Sequence, residues 1–130
     1  MHILLATDAD WVIDEVSAAV GGPETTIVVC RDGRDVAPYV AHRAPDIAVL
    51  DLQSGSMGGM AVAMDLRLDE SGGRIPHVPI LILLDRDADI HLAKRSGADG
   101  WLVKPLDPIR LTKAISEVAK GLSYSEALSG

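Results

Sequence analysis

Pro79-Ile80-Leu81-Ile82-Leu83-Leu84-Asp85 is an unbroken apolar run set between a proline and a carboxylate. It shows no alternation of polar and apolar residues, and that decides its reading. A strand with one face in water alternates, whereas a strand covered on both faces is continuously apolar and rich in branched aliphatic residues. Shorter runs of the same kind recur at Ile3 to Ala6, Thr25 to Cys30, Ile47 to Leu50 and Gly100 to Val103. Parallel strands need long crossovers, which are usually helices, so the pattern predicts a parallel sheet covered on both faces.

The intervals between the runs are helix-compatible. Val12, Val16 and Val20, with Ile13 and Ala19, mark one helix that stops at Gly21-Gly22-Pro23, and Val36 and Val40 mark a second before Pro45. Met57, Met60, Met64 and Leu68 lie three and four apart and read as the core stripe of a third helix. Leu111, Ile115, Val118 and Leu122 do the same for the last. The fourth, over residues 87–96, has only Ile90, Leu92 and Ala93 among Asp87, Asp89, Lys94 and Arg95, and is expected to be the loosest element. Five strand-then-helix units with right-handed crossovers predict an α/β protein, a flavodoxin-like doubly wound five-stranded parallel sheet of order 2-1-3-4-5 with five helices. Residues 1–122 make one domain in this reading, and 123–130 a polar C-terminal tail.

Composition narrows the function. The 130 residues carry 19 acidic and 12 basic side chains, a net charge of −7, which argues against a protein built to grip nucleic acid or an anionic membrane. The single cysteine, Cys30, excludes an internal disulfide framework, suits a reducing cytoplasm, and reads as a small buried hydrophobe. His2, His42, His77 and His91 lack metal-ligand spacing. No apolar run approaches the roughly 20 residues of a spanning helix, and the acidic N-terminus does not read as a signal peptide.

In an open α/β sheet the site lies beyond the carboxyl ends of the strands. The first strand runs out into Thr7-Asp8-Ala9-Asp10, the third into Asp51, the fourth into Asp85 and the fifth into Lys104-Pro105. No glycine-rich loop follows the first strand, so the cluster is poorly built to cradle a phosphate directly. It suits a hard divalent cation that takes oxygen ligands and keeps several waters, as Mg²⁺ does.

Ile3-Leu4-Leu5-Ala6-Thr7-Asp8, then Asp51 with Gly59 eight residues on, then Ser96-Gly97-Ala98-Asp99-Gly100-Trp101-Leu102-Val103-Lys104-Pro105 follow one another in an order that resembles the receiver domain of bacterial two-component response regulators. The resemblance covers essentially the whole chain. It implies a phosphorelay role: a phosphoryl group passes from the phosphohistidine of a histidine kinase or phosphotransfer protein to Asp51. Mg²⁺ would be held by Asp8, Asp51 and the backbone carbonyl of Gln53, and Lys104 would pair with the phosphoryl group. It also implies a downstream protein partner and a homodimer or partner face on the fourth helix, fifth strand and fifth helix, where Lys94, Arg95, Arg110 and Lys113 otherwise read as solvated. At most, Mg²⁺-dependent self-phosphorylation is expected as catalysis.

Three positions depart from the family pattern. Thr7 stands where receivers carry the first of two acids, which removes a metal-site charge but still offers an oxygen; Asp10 reads first as a helix-capping acid, with compensation for the missing acid as the alternative. Leu84 replaces the hydroxyl residue that switches with the phosphoryl group, so Trp101, at the aromatic switch position, is expected to keep one rotamer. Gly55 and Gly58 make the 53–59 segment read as pliable. Two readings follow: a stand-alone phospho-receiver signalling by protein contact, and a pseudo-receiver that binds partners without phosphorylation. A flavodoxin-like enzyme or nucleotide binder is a more remote third.

Overall fold

The computed structural model describes residues 1–53, 55 and 57–125. Five parallel strands, β1 (His2–Ala6), β2 (Thr26–Cys30), β3 (Ile47–Asp51), β4 (Ile80–Leu84) and β5 (Gly100–Val103), form one sheet of order β2-β1-β3-β4-β5. The helices between and after them are α1 (Asp10–Val20), α2 (Val36–His42), α3 (Gly59–Ser71), α4 (Ile90–Arg95) and α5 (Pro108–Ala119). The expected architecture and strand order are therefore the observed ones.

Strand period divides the core in two. Leu4, Ala6, Ala48, Leu50, Ile80, Ile82 and Leu84 point to one face and pack with α2, α3 and α4. Ile3, Leu5, Ile47, Val49, Leu81, Leu83 and Leu102 point to the other and meet Val12 and Val16 of α1 and Leu111, Ile115 and Val118 of α5. All of β3 and β4 is buried, which is why those runs carry no alternation. Each large aliphatic side chain so buried contributes about 1.5–3 kcal/mol.

The third helix corrects the sequence reading. Its buried residues are Gly59, Val62, Ala63 and Leu66, while Met64 and Leu68 are 59% and 64% exposed and Met57 and Met60 only partly covered. The cause is steric: the small residues Gly59 and Ala63 let the helix approach the sheet, and the bulkier methionine row is turned outward. Leu122 likewise falls beyond α5 and is exposed, although Leu111, Ile115 and Val118 are buried. The fourth helix is shorter than the expected 87–96: a 3₁₀ turn at Asp87–Asp89 leads into six α-helical residues, Ile90–Arg95.

Asp107 caps α5, accepting from the Arg110 N–H at 2.9 Å, with Pro108 in the first turn where its missing donor costs nothing. That bond, first among several from the same segment, holds the Asp107 carboxyl below the usual carboxylate range. Arg110 does not belong to a solvated face. Its guanidinium donates to the carbonyls of Val103 and Pro105, both at 2.9 Å. Residues after α5 also return to the sheet: Tyr124 accepts from the Trp101 N–H at 3.0 Å and donates to Asp99 O at 3.2 Å. Residues 126–130 of the expected tail lie outside the described part of the chain.

Candidate functional site

Strand order reverses at β1, and the crevice there opens beyond the ends of β1 and β3. Asp51 is the last residue of β3 and only 1% exposed. The Thr7 hydroxyl, just past β1 and fully buried, donates to Asp51 Oδ2 at 2.6 Å and accepts from the Ala9 N–H at 3.1 Å. Lys104 Nζ, just past β5, donates to Asp51 Oδ1 at 2.6 Å, and the Gln53 N–H approaches the same oxygen at 3.4 Å. Both carboxylate oxygens thus have partners, as a buried charge requires.

Lys104 has a second anionic partner, Asp85 Oδ1, at 2.7 Å. Burial alone would lower the pKa of this ammonium, but the hydrogen bonds and charges of Asp51 and Asp85 outweigh it and hold the pKa above its ordinary value. The cation also lies 5.4 Å from the centre of the Trp11 ring. A cleft of about 380 Å³ opens over these groups, lined by Asp8, Trp11, Asp51, Gln53, Asp85 and Lys104 among others.

The structure brings together Thr7, Asp8, Asp51, Gln53 and Lys104 and sets Leu84 and Trp101 apart from them. Leu84 is wholly buried in the core beneath α4, beside Val103 in register. Trp101 pairs with Ile82 on the same sheet face, half-covered, with Lys94 Nζ 5.9 Å from its ring. Asp10 opens α1 without capping it. The N-cap is Ala9, and the Asp10 carboxylate accepts from Arg31 at 2.7 Å. An acid there still complements the helix dipole. Neither Asp85 nor Trp11 has an individual role in the sequence reading. Asp85 was visible as a strand-end carboxylate, whereas Trp11, inside an amphipathic helix, gave no signal.

Glycines in the segment after Asp51 serve close approach as well as freedom. A Cβ on Gly59 would lie 2.6 Å from the Asp51 carbonyl oxygen, so glycine lets α3 begin directly under the end of β3. Gly55, at φ 65°, takes the left-handed conformation that side chains disfavour. Ser54 and Ser56 lie outside the described residues.

Among the described residues no three His, Cys, Asp or Glu side chains are grouped as metal ligands. The donors at the cleft are the carboxylates of Asp8, Asp51 and Asp85, the last already engaged by Lys104 and Gln53, and the oxygens of Gln53. That set is too sparse for a closed protein cage. It does fit a hard cation that keeps most of its water and takes one or two carboxylates, which is the habit of Mg²⁺.

A doubly wound five-stranded parallel sheet with a strand-end aspartate paired to a lysine defines the class as a flavodoxin-like α/β protein. The family model of the response regulator receiver domain matches residues 3–116, and the chain belongs to that family. Its members are phosphorylated on an aspartate, bind Mg²⁺ at an acidic pocket, and work with histidine kinases or phosphotransfer proteins in two-component systems. Among relatives, the nitrate/nitrite response regulator protein NarL of Escherichia coli K12 is 35% identical over 109 residues, covering 82% of this chain and 49% of that protein. The chain thus spans about half the length of that relative. Protein PilH of Pseudomonas aeruginosa is 26% identical over 120 residues, covering 92% of this chain and 98% of PilH. Among solved structures, a putative response regulator from Chloroflexus aurantiacus is similar with a TM-score of 0.81 at 18% identity, covering 92% of this chain and 97% of that one. The receiver domain of the putative response regulator NarL from Mycobacterium tuberculosis is similar with a TM-score of 0.77 at 25% identity, covering 92% and 96%. No helix among the described residues is long and apolar enough to cross a membrane.

Proposed function

We propose that Asp51 is the phosphoacceptor of a receiver that takes its phosphoryl group from a histidine kinase or phosphotransfer protein and signals in the cytoplasm by direct contact with a downstream protein. The observation that carries this reading is the Lys104–Asp51 pair, 2.6 Å apart at the mouth of a polar cleft. An Asp51 carboxylate oxygen supplies the electron pair of a new O–P bond while the donor's N–P bond breaks. The electrons of that bond stay on the imidazole nitrogen, and because the donor ring's other nitrogen carries a proton it leaves as neutral imidazole. Such a transfer spreads negative charge over the phosphoryl oxygens, and catalysis is mostly positioning and positive charge. Thr7 fixes the orientation of Asp51 from below, and Lys104 presents its ammonium from above. Mg²⁺ held by Asp8, Asp51 and the Gln53 carbonyl would add positive charge where the phosphoryl oxygens gather.

The exposed residues Leu92, Lys94, Arg95, Ile109 and Lys113 on α4 and α5 offer the surface for partner or homodimer contact. The match along nearly all of PilH supports a stand-alone receiver. Intact-protein mass after incubation with acetyl phosphate and Mg²⁺ tests the reading. A gain of one phosphoryl group, absent from Asp51→Asn, is expected; no gain in either protein overturns it.

One observation favours a second reading. Leu84 is an apolar core residue with no donor for a phosphoryl group, which suits a binding module that works without phosphorylation. In that case Asp51→Ala leaves partner binding unchanged, and a large loss of binding with the fold intact defeats it.

A further inference from the structure

The sheet itself sets Asp85 against Lys104. The Lys104 N–H donates to the Leu84 carbonyl at 2.8 Å, and Asp85 is the next residue along. The ammonium therefore lies between two carboxylates, 2.6 Å from Asp51 and 2.7 Å from Asp85. The second Asp85 oxygen accepts from Gln53 Nε2 at 3.2 Å, and Gln53 in turn offers its N–H to Asp51. Asp85 is thus joined to the acceptor carboxylate twice, through a cation and through an amide. Three carboxylates, of Asp8, Asp51 and Asp85, and one ammonium line the cleft, so the protein lining alone carries two net negative charges, and Asp85 adds one that no proposed metal contact engages.

We propose that Asp85 is a positioning residue that holds Lys104 between two carboxylates and thereby slows phosphorylation of Asp51 by anionic donors; this rests on the phosphoacceptor reading above. Two effects act in the same direction. The three N–H donors of the ammonium are divided, so fewer meet the incoming phosphoryl oxygens, and the second carboxylate repels the donor. A lysine head is a point charge on a rotatable stem, so it can give up Asp85 once phosphoryl oxygens offer a better partner. Asp85 then loses its cation, and the β4–α4 connection that carries it loses its tie to β5.

The test compares rates of acyl phosphate formation, read by intact mass with acetyl phosphate and Mg²⁺, in wild type, Asp85→Asn, Asp85→Ala and Asp85→Glu. Removing one charge at this range should speed labelling about tenfold at low salt in the Asn and Ala variants. Asp85→Glu, which keeps the charge, should stay near wild type. The gain should shrink in 1 M salt, where the screening length falls to about 3 Å. It should also be smaller for phosphoramidate, which carries less net charge than acetyl phosphate. A loss of side-chain packing alone would not track salt or donor charge. Labelling of the wild type with no gain in the Asn and Ala variants, or a gain indifferent to salt, overturns this proposal alone. No labelling of any of the four proteins overturns the phosphoacceptor reading and this proposal with it.

Discussion

Two charged networks sit at opposite edges of the sheet, and they are built from different cations. At the edge where β4 and β5 begin, the Arg67 guanidinium of α3 donates to the carbonyls of Gly97 at 2.8 Å and Val78 at 2.9 Å, and to Glu70 and Asp99 at 3.1 and 2.7 Å. Asp99 also accepts from the Ile80 N–H at 2.8 Å, so one fork fastens a helix to the entries of two strands. At the edge where strands end, a single ammonium joins Asp51 to Asp85. A planar fork aimed at backbone carbonyls fixes structure, whereas a point charge on a flexible stem can exchange partners. The fold places its rigid cation where nothing needs to change and its mobile one where chemistry is proposed.

Substitutions should separate the two. Lys104→Ala is expected to slow Asp51 labelling by about 10²–10³-fold, the usual cost of losing one preorganised charge donor, in the same mass assay. Labelling within a few-fold of wild type would place the chemistry elsewhere. Arg67→Met should leave labelling within about twofold but reduce stability by about 2–3 kcal/mol, since it strands two carbonyls and the Asp99 carboxylate; urea unfolding measures it. Thr7→Val, nearly isosteric, removes the buried donor to Asp51 and should cost about 1–2 kcal/mol in the same unfolding series.

Alkaline titration gives the smallest effect. The folded-state pKa of Lys104 is raised, so its contribution to stability is complete below the ordinary lysine value of about 10.4 and is lost as pH rises through the higher folded value. Urea midpoints should therefore fall as pH rises above the ordinary lysine value, less steeply in Lys104→Met. A midpoint that rises over this range contradicts the assignment.

The strands were legible because burial on both faces forces continuous apolar runs. Expected and observed limits agree to within a residue at every strand, as at Pro79 to Leu84 against Ile80–Leu84. Facing was harder to read. Met60, Met64 and Leu68 and the row of Gly59, Val62, Ala63 and Leu66 are neighbouring stripes on one helix, and hydrophobicity favours the methionines. The space available at the sheet, which admits glycine and alanine but not methionine, is a tertiary fact that periodicity does not carry. The same holds at the cleft. Asp51, Asp8 and Lys104 follow from strand ends, yet nothing local marks Asp85 as a partner for a lysine 19 residues away or puts Trp11 over that cation. Arg110 read as solvated because the carbonyls it reaches belong to the backbone, which pattern analysis ignores.

Those carbonyls matter for a different reason. Along the outer side of β5, Tyr124 engages the Asp99 carbonyl and the Trp101 N–H, and Arg110 engages the Val103 carbonyl. An open strand margin is a template on which another chain can lay a strand of its own and begin to aggregate. Here successive docking points along that margin are already taken by the chain's own groups. Arg110→Ala combined with loss of the Tyr124 segment should therefore unmask a self-association tendency that the intact sequence suppresses, read as a rise in mass with concentration by light scattering.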